Sequence, residues 1–119
     1  MKIFHFNGQT GRRVTKYGSN FILNKMIQTE QPAQIVHMDL KGGDNIGAHE
    51  THVNQLFIVT GGSGYVRGCE DIWYEVSSGE AVGFSAGEVH ETRTDSGLTA
   101  IVIESESMDS GQFMEEKER

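Results

Sequence analysis

At 119 residues, 36% hydrophobic and 23% charged, the chain has the size and composition of one globular domain and not of a disordered segment. A net charge of −7 disfavours a nucleic-acid partner, since Arg12, Arg13 and Lys16 form the only basic cluster and it is weak. No apolar run reaches the roughly 18–20 residues of a membrane span, the first residues hold no signal-peptide core, and the lone Cys69 forms no internal disulfide, so a cytoplasmic protein is expected.

Fifteen Gly against the single Pro32 read as many tight turns. Near the start, Phe4 and Phe6 mark an apolar strand suited to covering a sheet edge. Residues 21–27 are ambiguous between strand and short helix, with strand the preferred reading. Residues 35–40 alternate, with Val36, Met38 and Leu40 on the apolar face. Residues 53–60 form a stronger run, with Leu56, Phe57, Ile58 and Val59 consecutive, as in a strand buried on both faces. Gly61-Gly62-Ser63-Gly64 is read as a turn into a strand at Tyr65. Strands at 72–76, 81–84, 89–94 and 98–104 follow, separated by Gly- and Ser-containing turns. Residues 105–119 are polar and acidic and are expected to be a mobile tail or short terminal helix. The expected organisation is N-terminal strands over 1–34 packing on the barrel or on a dimer partner, a barrel over 35–104, and the acidic tail.

Successive side chains of a strand face opposite ways. His49, Thr51, Val53 and Gln55 then share one face, with Glu50, His52 and Asn54 opposite. Downstream, His90, Thr92 and Thr94 share a face. Two such faces meeting in a barrel interior make a polar pocket, and neutral imidazoles are good ligands for transition metals. A β-bulge near His49 would instead turn His52 inward. The run His49-Glu50-Thr51-His52 is not the zinc-protease signature, because its histidines are three apart rather than four and sit in a strand context. Glu88, beside the turn before His90, is expected to be solvated.

These residues resemble the cupins, all-β jelly-roll barrels of two Greek keys. The first cupin motif is Gly, five residues, His-x-His, three or four residues, Glu, six residues, Gly; here Gly43, His49, Thr51, Gln55 and Gly62 occupy that frame. The second is Gly, five residues, Pro-x-Gly, two residues, His, three residues, Asn; here Gly79, Ser85, Gly87, His90 and Thr94 stand there. The resemblance implies a divalent metal (Zn, Ni, Mn or Fe) with His49, Gln55 and His90 as candidate ligands. His52 joins them if the bulge forms. It also implies a homodimer. Thr51 replaces the second histidine and Gln55 the glutamate, so no carboxylate offsets the charge of a cation. The expected function is therefore binding of a small polar molecule, with Thr51, Thr92 and Thr94 as ligand-binding candidates. The alternative is a metal-dependent enzyme with isomerase, decarboxylase or dioxygenase chemistry. For that reading the pocket lacks an in-phase general acid or base beyond the two histidines.

Overall fold

The computed structural model describes all residues from Met1 to Arg119. Eleven strands follow in chain order: β1 (Lys2–His5), β2 (Arg12–Val14), β3 (Phe21–Leu23), β4 (Ala33–Leu40), β5 (Asn45–Glu50), β6 (Asn54–Arg67), β7 (Tyr74–Ser77), β8 (Glu80–Phe84), β9 (Val89–Arg93), β10 (Leu98–Ser105) and β11 (Glu115–Glu116). A single 3-10 turn, Lys16–Gly18, lies in the β2–β3 hairpin, which forms a small sheet of its own. No helix is long and apolar enough to cross a membrane.

The larger array is two sheets that share β6. Its N-terminal half pairs with β8 and β10 in the order β11-β1-β8-β6-β10-β4, and its C-terminal half pairs with β7 and β9, the latter carrying β5. The segment 61–64 is therefore no turn: β6 runs through it and changes sheet there. A register shift between Thr99 and Ala100 on β10 sets Thr99 against Gly61 and Ala100 against Val59, bending β6 at this point. Gly62 is required at the bend. Its φ is +71°, and a Cβ would fall 2.1 Å from the Gly97 carbonyl oxygen, a backbone atom that cannot step aside.

Alternation along β6 and β8 sorts the core. Phe57, Val59, Val82 and Phe84 face the barrel interior with Val66, Leu98, Ala100 and Val102. Leu56, Ile58 and Ala81 face outward and are buried there against Phe4, Met108 and Met114. The expected mobile tail or terminal helix is thus neither. Residues after β10 fold back over the outer face, Met108 and Met114 plug it, and β11 pairs with β1. The reason is hydrophobic: without this cover, Leu56 and Ile58 would meet water, at about 1.5–3 kcal/mol for each large side chain. The Lys117 amide donates to the Ile3 carbonyl at 2.6 Å, and its ammonium bonds Glu80 at 2.8 Å. Burial pushes the Glu80 carboxyl up, but hydrogen bonds from Lys117 and Ser77, with the Lys117 charge, outweigh it and hold the group below its ordinary value. The edge that β1 covers belongs to β8 of the same chain.

Candidate functional site

His49 and His90 are Cα partners across the β5–β9 ladder, yet simple alternation does not bring them together. Ile46 pairs with Thr92 and His49 with His90, so three steps along β5 match two along β9. The extra residue is a bulge at Gly47-Ala48, upstream of His49, and it turns His49 onto the face of Ile46 and His90. The Gly47 carbonyl closes the bulge by accepting from His49 Nδ1 at 2.7 Å. A carbonyl only accepts, so His49 Nδ1 carries the proton of this bond.

The two imidazole rings meet with centroids 4.5 Å apart and planes tilted by 53°. On its other side His90 stacks on Phe84 at 4.0 Å, with planes 22° apart. Their surroundings differ. His49 is exposed at the barrel mouth, whereas His90 is 3% exposed. Both ring nitrogens of His90, and the Thr92 hydroxyl two residues on, are buried with no hydrogen-bond partner. Desolvation, with a smaller push from His49, lowers the His90 pKa from its ordinary 6.5 to about 4, so the ring is neutral at physiological pH.

The other sequence-selected residues are dispersed. β5 ends at Glu50 and β6 starts at Asn54, so no strand runs from His49 to Gln55. Thr51 begins the intervening bend. Its amide and hydroxyl both donate to the Glu88 carbonyl at 2.9 Å, and its own carbonyl accepts from the Gly87 amide at 2.7 Å. Thr51 thereby ties the two motifs together through backbone groups. His52 lies exposed on the same bend. The observed bulge precedes His49 and leaves His52 outside. Thr94 is buried, as alternation on β9 requires, but its hydroxyl donates to the Ser63 carbonyl at 2.6 Å and accepts from the Gly97 amide at 2.9 Å. Gln55 is buried in phase with Phe57 and Val59, its Cα opposite Phe84. Glu88 is not solvated: it is half-buried, with one oxygen bonded to the Met1 amino group at 2.7 Å and the other buried and unpartnered. Phe84, which supports the His90 ring, was not singled out in the sequence. Its one signal was a place two residues after Val82 on an apolar strand.

A family model described as Cupin domain matches residues 36–105, which span β4 to the end of β10 and include both histidines. The chain belongs to the cupin family. Among solved structures, this cupin is similar to an RmlC-like cupin family protein with a double-stranded β-helix fold from Methanocaldococcus jannaschii (15% identity, TM-score 0.59, covering 88% of this chain and 90% of that one). It is also similar to a cupin superfamily protein from Desulfitobacterium hafniense (11% identity, TM-score 0.58, 87% and 97%). A third is a predicted oxalate decarboxylase from Thermotoga maritima (17% identity, TM-score 0.54, 58% and 62%). At these identities the likeness is one of fold. No curated protein matches the chain.

The family implies a divalent metal, so the donor set of this cupin bears directly on the site. No group of three or more His, Cys, Asp or Glu side chains converges anywhere in the molecule. The barrel offers two imidazoles, His49 at its mouth and the neutral His90 within, and the Gln55 amide. Transition-metal sites of this kind use three or four side chains, with anionic ligands offsetting the charge. The residues present do not fit a divalent centre.

Proposed function

We propose that this cupin binds a small, neutral, polar molecule in the barrel interior, against His90 and Thr92, in the place that the His49 ring covers. The observation that carries this reading is the trio of buried, unpartnered polar atoms: His90 Nδ1, His90 Nε2 and Thr92 Oγ1. A buried polar group without a partner costs about 1–3 kcal/mol, and a ligand presenting matching donors and acceptors would recover it. Neutral His90 supplies one donor and one acceptor, Thr92 supplies a hydroxyl, and Phe84 supplies a ring face. Neither histidine lines an open cavity. Entry to His90 therefore requires the exposed His49 ring to swing aside on its glycine-containing bulge.

The test is an NMR titration with a panel of small neutral amides and azoles. The expected result is saturable shifts at His90, Thr92 and Phe84 that vanish in His90→Phe. Intact binding in that variant, or a panel without effect on those residues, contradicts the reading. Calorimetry with Zn²⁺ and Ni²⁺ tests the metal-free part. Binding weaker than about 10 μM is expected, and stoichiometric, His90-dependent binding below about 1 μM would overturn it.

A further inference from the structure

A cavity of about 350 Å³ lies outside the barrel between the N-terminal strands and the returning C-terminal segment, and shares no lining residue with the histidine pair. Its volume is within the usual range for small-molecule sites, about 300–1,000 Å³. Three nitrogen bases converge on it from separate elements: His5 at the end of β1, Arg12 at the start of β2, and Lys25 just after β3. One carboxylate, Glu115, joins them in the lining. In a chain of net charge −7 this is a local reversal of sign.

His5 lies 3.8 Å from a Glu80 carboxylate oxygen, but Arg12 and Lys25 have no carboxylate partner. The Arg12 guanidinium makes no hydrogen bond or ion pair, although acidic residues outnumber basic ones 17 to 10 and surface guanidiniums are readily paired. Lys25 donates to the Gln28 side chain at 2.9 Å and sits 4.2 Å over the Phe113 ring, which holds its position without neutralising its charge. The rest of the lining is mixed: Leu23, Phe113 and Met114 give it an apolar side, and Thr10, Gly11 and Asn24 a polar one, where the Thr10 hydroxyl donates to the Asn24 side chain at 2.7 Å.

We propose that this cavity binds a small organic anion, its anionic head met by Arg12 and Lys25 and its apolar body lying on Leu23, Phe113 and Met114. The site exists because the C-terminal segment folds back, since Phe113 and Met114 belong to it.

The test is a ¹H–¹⁵N NMR titration of the full chain with benzoate, run to about 20 mM to cover millimolar affinities. Saturable shifts are expected at Arg12, Leu23, Lys25, Phe113 and Met114. The double variant Arg12→Gln/Lys25→Gln, both positions being exposed, should keep the wild-type melting temperature and bind about tenfold or more weakly, the scale of losing a charge-assisted hydrogen bond. Benzyl alcohol, which has the same ring without the charge, should bind more weakly by a similar factor. The proposal is overturned if benzoate gives no saturable shift, if the double variant binds like wild type, or if benzyl alcohol binds as well as benzoate.

Discussion

Acidification should destabilise this cupin through His90. The ring titrates at about 4 in the fold, against 6.5 as its ordinary value. Between those values the unfolded chain binds the proton and the folded chain does not, so stability is complete above pH 6.5 and falls as pH drops toward 4. One pKa unit corresponds to about 1.4 kcal/mol, so the loss from this residue reaches about 2 kcal/mol at pH 5 and about 3 kcal/mol at pH 4. Against the roughly 5–15 kcal/mol that holds a typical domain together, that is large. The assay is urea unfolding of wild type and His90→Gln at pH 7.5, 6 and 5. Other titrating groups, Glu80 among them, are common to both proteins and cancel in the difference. The variant should lose about 2 kcal/mol less than wild type between pH 7.5 and 5. Parallel pH dependences for the two proteins would show that His90 is not held neutral, and the desolvation argument would fail.

Three structural substitutions test the elements around the site. Thr94→Val leaves the Ser63 carbonyl and the Gly97 amide without their partner and should lower stability by about 1–3 kcal/mol in urea unfolding, without loss of any ligand bound at His90. Gly62→Ala introduces a Cβ against the Gly97 carbonyl at a left-handed position and should cost at least about 2 kcal/mol; an unchanged melting temperature would contradict the bend described for β6. Met114→Ala should cost about 2–5 kcal/mol if the C-terminal segment is part of the core, and close to nothing if it were a free tail.

Much of the barrel was legible because strand chemistry is local. Period-two alternation in residues 35–40 and 89–94, and the unbroken apolar run of 56–59, reflect faces that must be buried whatever lies beyond them. The burial of His90, Thr92 and Thr94 together follows from that same alternation. What failed depended on partners distant in sequence. Gly61 to Gly64 looked like a turn because glycines punctuate chains, but β10 holds Gly61 and Gly62, and β7 holds Ser63 and Gly64, in a strand that changes sheet. Residues 105–119 looked solvated because acids dominate, yet two methionines, the pairing of β11 with β1 and the Lys117–Glu80 pair anchor the segment on an apolar surface that the local sequence could not reveal.

The histidines divide in the same way. The sequence alone specified that His49 and His90 stand in two glycine-framed motifs without a companion carboxylate, because residue identity and spacing are written there. Tertiary structure decided the rest. A bulge at Gly47-Ala48 sets the phase of His49, Thr51 and Thr94 are drawn into backbone bonds, and Phe84 packs under His90. Facing, satisfaction and desolvation are properties of what surrounds a side chain, and those surroundings exist only once distant strands have met.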